Sequence, residues 1–289
     1  MSFRPYNRKC AVCGGEDSYF QIDNFFNRGR YSDLDFRSPN YGSSYFLNLV
    51  ECCVDCGYCS IDVSKANDRT AALVKSQEYK DQIKNMRYNP LADIFLCKAL
   101  VEIENGNFLG ATWSRIYAAW IEDDEEDHLE AFLCRRLAVD TFVQAVKNHT
   151  VVTEDVEHDA ALLVDLLRRS GQLTKARKVI LNNFFKVTSM DVINILNYQM
   201  YLIEDKDIKC RSLGEALHGL PKEEVPVRSR AERRRRNRLR RNKIPYFKNY
   251  FKKSFFHTYK EERMHLKFMG LPEEETPCLG GGGLGDLIN

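Results

Sequence analysis

Twice in this chain two cysteines stand three positions apart with a glycine behind them: Cys10-Ala-Val-Cys13-Gly14 and Cys53-Val-Asp-Cys56-Gly57. A C-x-x-C in a tight turn aims both sulfurs at one point. Glycine takes the positive-φ position that lets backbone amides face the thiolates. Two such knuckles supply four thiolates, the ligand set of a tetrahedral structural Zn²⁺. The spacing predicts one zinc ion held by Cys10, Cys13, Cys53 and Cys56, in a zinc-ribbon module over residues 1–65. A site closed by four cysteines has no open coordination position, so its expected work is structural.

Ten cysteines would also suit a disulfide framework. No apolar h-region follows Met1, and no run of about eighteen apolar residues occurs. With four cysteines paired as C-x-x-C, these features predict a reducing, cytoplasmic setting, metal-bound thiols and no membrane span.

Thirty-nine residues separate Cys13 from Cys53. Residues 18–26 read as a strand after the first knuckle. Residues 45–51, Tyr-Phe-Leu-Asn-Leu-Val-Glu, alternate and read as the strand entering the second. Pro, Asn, Gly and Ser mark residues 30–44 as a loop. That loop carries Asp33 and Asp35. They suit a recognition or catalytic carboxylate pair beside the metal, or loop aspartates that cap turns and pair with Arg30 and Arg37. Cys59, three after Cys56, is either a rival ligand or a small buried hydrophobe.

The pieces Cys10 to Gly14, Asp33-Leu-Asp35-Phe-Arg37, Ser43-Ser44 and Cys53-Val-Asp-Cys56-Gly57-Tyr58 resemble an uncharacterised bacterial family. That family is a domain of unknown function with an N-terminal C-x-x-C-G, a central Asp-x-Asp, a C-x-x-C-G-Tyr knuckle and TPR-like helices. The resemblance spans roughly residues 8–200 and implies a zinc-ribbon-like module before a helical repeat region, without assigning an activity. The family often has proline after the first cysteine of its knuckle, where Val54 stands here.

Helical periodicity follows, over residues 66–87, 91–103, 108–122, 128–147, 154–170, 173–187 and 190–204. Short connections predict helix hairpins over residues 66–225. Leu163, Leu167, Gly171, Ala176 and Ile180 have the spacing of a TPR hairpin, in which glycine turns the chain and alanine admits close helix contact. Trp113, Tyr117 and Trp120 suggest a similar pair with Ala131. The acidic run 122–127 reads as a solvated cap before a helix. Glu125-x-x-His128 and Asp155-x-x-His158 have the spacing of di-iron ligands, but both fall at predicted helix starts.

Charge divides the chain. From Pro226 onward 16 Lys and Arg stand against 7 Asp and Glu, while the preceding residues carry 27 against 34. Arg233, Arg234, Arg235, Arg236, Arg238, Arg240, Arg241 and Lys243 form a dense cationic run. Guanidinium forks match phosphate oxygens, so this run predicts contact with RNA, DNA or another polyanion. Phe247, Phe251, Phe255 and Tyr259 recur every fourth residue, as on one packed helix face, although lysine-interleaved aromatics also stack on bases. The Gly-rich end formally contains G-x-G-x-x-G, with too little chain behind it for a dinucleotide-binding helix.

The predicted fold class is mainly α: a small N-terminal Cys₄ zinc ribbon, then a TPR-like array of helical hairpins. The predicted function is a non-enzymatic intracellular zinc-binding adaptor. Its helices offer a protein-partner surface and its tail a polyanion contact. Two alternatives stand beside it. One is a metal- or thiol-dependent enzyme using Asp33 and Asp35, Cys59 or the Glu/His pairs. The other is a protein-only scaffold whose tail docks on its acidic body.

Overall fold

Each cysteine knuckle sits at the tip of its own antiparallel hairpin. In the computed structural model, which describes residues 2–23, 31–39, 43–47, 49–84 and 87–218, β1 (Ser2–Lys9) pairs with β2 (Glu16–Asp23), in register from Lys9↔Glu16 to Ser2↔Asp23. The two-residue strands β3 (Glu51–Cys52) and β4 (Cys59–Ser60) flank the second knuckle. Strand β1 escapes a sequence pattern because Pro5 and four charged or amide side chains interrupt the alternation. Proline is accommodated here because β1 has only one partner strand.

The strand expected over residues 45–51 is mostly not one. A single helical turn, α1 (Ser43–Phe46), comes first, and only Glu51 and Cys52 are extended. The cause is tertiary. Phe46 is wholly buried against the rings of Phe95, Tyr117 and Trp120, at centroid distances of 6.1, 5.9 and 6.3 Å. Burying that ring outweighs the local alternation.

The helix expected over residues 66–87 is two helices. α2 (Asp68–Lys75) and α3 (Gln77–Lys84) meet at Ser76, whose backbone is extended (ψ 159°) and whose hydroxyl accepts the Tyr79 N–H at 3.3 Å. Serine oxygens compete for backbone donors in this way and favour helix starts over helix interiors. α4 (Pro90–Glu104) starts at Asn89, whose side chain accepts the Leu91 N–H, with Pro90 in the first turn. It is buried on nearly every side from Leu91 to Ala99, so the rest of the chain packs around it.

Next come α5 (Phe108–Asp124), α6 (His128–Lys147), α7 (Val156–Arg169), α8 (Leu173–Asn183), α9 (Met190–Glu204) and α10 (Leu213–His218). α8 ends before residue 187 in a 3₁₀ turn, Phe184–Lys186. Each helix from α4 to α10 packs on the next, and α7 also reaches α9. Three-residue connections, such as Asn105-Gly106-Asn107, leave room only for antiparallel neighbours. At Gly171 the backbone is left-handed (φ +71°), and an added Cβ would lie 2.9 Å from the Phe132 ring. The fold is therefore mainly α with a small N-terminal β module. All described residues except Arg87 belong to one compact unit. No helix among them is long and apolar enough to cross a membrane.

Only the second half of the acidic run 122–127 is the turn before α6, with Asp127 at its N-cap position; the first half is not a solvated cap. The first three residues of the run complete α5, and Glu122 is fully buried, accepting the Asn89 N–H at 2.5 Å. The cationic run Arg233–Lys243, the aromatic stretch after it and the Gly-rich end lie outside the described residues.

Candidate metal centre

The two knuckles have the same backbone design. In the first, Gly14 N–H donates to the Cys10 carbonyl and Cys10 N–H to the Gly15 carbonyl, both at 2.8 Å. In the second, Gly57 N–H donates to the Cys53 carbonyl and Cys53 N–H to the Tyr58 carbonyl, again at 2.8 Å. Gly14 and Gly57 are both left-handed, at φ +79° and +77°. That conformation costs an L-residue roughly 1–2 kcal/mol, which explains a glycine after each C-x-x-C.

Glu51 draws the hairpins together. Though nearly buried, it accepts hydrogen bonds from the Tyr6 hydroxyl at 2.6 Å, Arg8 Nε at 3.2 Å and Val63 N–H at 2.8 Å. Ala11 N–H, inside the first knuckle, reaches the Val63 carbonyl at 2.9 Å. Tyr79 supports the second knuckle from α3: its hydroxyl donates to the Gly57 carbonyl at 3.0 Å and accepts the Cys59 N–H at 3.1 Å.

So positioned, the Sγ atoms of Cys10, Cys13, Cys53 and Cys56 all lie within 4.8 Å of one another, the only group of described residues placed to hold a metal ion. Cys10 and Cys56 are 3.7 Å apart, Cys13 and Cys53 3.5 Å. A tetrahedron with metal–sulfur bonds of about 2.3 Å has edges of about 3.8 Å, so the four sulfurs have the spacing of a single tetrahedral ion. A cubane cluster would need sulfurs much farther apart.

No family model, curated protein or solved structure matches this chain.

Burial pushes the Cys53 thiol up to about 11 and raises Cys56 as well. Burial also acts to raise Cys13, but the Gly15 N–H and the neighbouring sulfurs outweigh it and hold that thiol low. A cation bound among these sulfurs would supply the charge that favours the thiolate form of its ligands. Cys10 and Cys53 are buried, Cys56 is half-buried and Cys13 is exposed. Cys59 stands apart from this set. Its Sγ lies against the Gly57 carbonyl at 3.2 Å and the Cys52 Sγ at 2.9 Å, and both residues are fully buried.

The Asp33–Asp35 loop lies on the helices. Asp33 forms a β-bridge with Ser212, and Leu34 N–H donates to the Arg211 carbonyl at 2.8 Å. Asp35 is fully buried, so it is not available to a ligand. Its Oδ2 accepts from Arg169 at 2.7 Å and from the Trp120 indole N–H at 2.8 Å, with Arg135 at 3.6 Å. Arg169 and Arg135 both also bind Asp123, and Arg37 binds Asp124 at 2.8 Å. Three aspartates thus meet three arginines, as a buried carboxylate requires. Of the expected arginine partners, Arg37 gives Asp35 its backbone N–H, at 3.4 Å, and Arg30 lies outside the described residues. The true partners sit 85 to 134 residues away, beyond the reach of any local pattern.

The carboxylate–histidine pairs do not converge. Asp155 caps α7, accepting the Glu157 and His158 N–H groups, and its carboxylate pairs with His158 Nδ1 at 2.9 Å on the surface. Glu125 is at the end of α5 and His128 at the start of α6. Neither pair belongs to a metal-capable group among the described residues.

Proposed function

We propose that this protein is a non-enzymatic adaptor. One structural Zn²⁺ folds a zinc-ribbon module, TPR-like helices offer a partner surface, and the arginine-rich tail contacts nucleic acid or another polyanion. The observation that carries the metal reading is the four-sulfur group with its tetrahedral edges. Zinc suits a site made only of cysteine sulfurs, and a closed site does structural work. The helical part of the proposal is supported by consecutive antiparallel packing from α4 to α10, by the α7–α9 contact and by the glycine turn before α8. The nucleic-acid part is supported by sequence charge alone. Against the enzymatic alternative, Asp35 is held in ion pairs and the two carboxylate–histidine pairs stand apart among the described residues.

Metal analysis tests the first part. The purified chain should carry one zinc per molecule. Cys10→Ser and Cys56→Ser should carry almost none and lose order in the N-terminal module, because ion binding supplies much of the folding energy of such modules. Full zinc content in both variants would refute the ligand assignment. Nucleic-acid binding across a salt series tests the tail. The full chain should bind with an affinity that falls steeply as salt rises, and a chain ending at Val225 should bind far more weakly. Equal binding by both chains would remove the tail from the interface.

A further inference from the structure

The second hairpin holds two cysteines that the four-sulfur group does not use. Register sets Cys52 directly opposite Cys59. Their backbone groups turn away from each other: Cys59 N–H donates to the Tyr79 hydroxyl at 3.1 Å, and the Cys52 carbonyl accepts from the Tyr19 hydroxyl at 3.4 Å. The ladder bond falls on the next pair, from Cys53 N–H to the Tyr58 carbonyl. Cys52 and Cys59 are thus a non-hydrogen-bonded pair, the closer of the two antiparallel kinds, with Cα atoms typically about 4.5 Å apart. That spacing lies inside the disulfide range of about 4.4–6.8 Å. Their sulfurs are already 2.9 Å apart.

We propose that Cys52 and Cys59 are a redox-modification site, forming a reversible disulfide that clasps the base of the second knuckle. Hydrogen peroxide is a sufficient oxidant. One thiol, once opened to water, gives up its proton and its sulfur attacks a peroxide oxygen; the O–O bond breaks to leave a sulfenic acid, and the departing hydroxide takes up a proton to become water. The second thiol then attacks that sulfur, forms the S–S bond and expels another water. Two electrons pass from the thiols to the peroxide. Both residues are buried, so the reagent enters when the ladder, only two residues per strand, opens locally. A small peroxide passes such an opening more readily than a bulky disulfide.

The clasp encloses both ligands of this knuckle, Cys53 and Cys56, and fixes their backbone whether or not the ion is present. Its effect on the ion rests on the metal reading above; the bond itself does not. Peptide mapping of the full-length, Zn²⁺-loaded protein tests it. After peroxide treatment and alkylation, cleavage before Asp55 separates Cys52 from Cys59, and fragmentation of the linked peptides assigns the bond. The expected result is a Cys52–Cys59 link in most chains, reversed by dithiothreitol and absent from Cys52→Ala. The oxidised protein should also lose its ion to a chelator several-fold more slowly than the reduced protein. Two thiols that still alkylate, or a link to Cys53, Cys56 or Cys97 instead, would overturn the proposal, and an unchanged release rate would overturn the hold of the clasp on the ion. A purified protein without metal would defeat the metal reading, while the map would still decide the link.

Discussion

Buried charge divides into two kinds at the residue scale. Asp123 is held well below the usual carboxylate range: burial works against ionisation, and Arg135 and Arg169 overcome it. Asp93 is the opposite case. Burial, with Glu122 nearby, pushes its carboxyl well up, and only the Gln82 amide at 3.0 Å favours the ion. A carboxyl whose folded pKa is raised stabilises the fold most at low pH. That contribution is lost as pH climbs through the interval between the unfolded value, about 3.9, and the folded one. Asp93→Asn keeps the acceptor for Gln82 and cannot ionise. It should therefore raise the melting temperature at pH 7, with the gain shrinking as pH approaches 4. Thermal melts at the two pH values check this, and a variant equally destabilised at both would contradict it.

Hairpins and helices meet, at the element scale, through single side chains. Tyr79 is wholly buried, and its hydroxyl joins α3 to the second knuckle at both Gly57 and Cys59. Tyr79→Phe leaves the ring in place and strands two backbone groups. The expected cost is about 1–3 kcal/mol in a denaturant titration, with faster release of the ion to a chelator. Unchanged stability and release would show that the hydroxyl is dispensable. The four-cysteine group was legible in the sequence because each knuckle is a five-residue pattern whose chemistry is local. Most helices were legible for the same reason, through period and caps. Residues 45–51 and 66–87 misled because the partners that decide them lie outside each segment: the rings of Phe95, Tyr117 and Trp120 around Phe46, and the second knuckle that Tyr79 reaches from beyond the break at Ser76. The Asp35 cluster left no sequence signal, since aspartates in a Pro- and Ser-bearing loop look the same whether they cap turns or pair with distant arginines.

On the scale of the whole molecule, the β module and the helices share one interior. Glu51 ties the hairpins to each other, Tyr79 ties α3 to them, and residues 31–39 lie across α5, α6 and α7. Removing the ion should therefore lower the single melting transition of the described unit as a whole, not split off an early step. Calorimetry with and without chelator separates the outcomes: two resolved transitions would mean that the module and the helices unfold independently.

The ion pair between Asp35 and Arg169 spans 134 residues. On a ribosome adding about 5–20 residues per second, that separation is on the order of ten seconds of synthesis. During that interval the knuckles, whose four cysteines all lie by Cys56, are complete, and on the proposed reading they can already take up an ion. The Asp35 carboxylate meanwhile stays in water, awaiting a helix that does not yet exist. The β-bridge from Asp33 to Ser212 closes later still. The four sulfurs of the nascent chain can thus gather early, while the packing of residues 31–39 comes late, when one of the oldest segments meets helices made long after it.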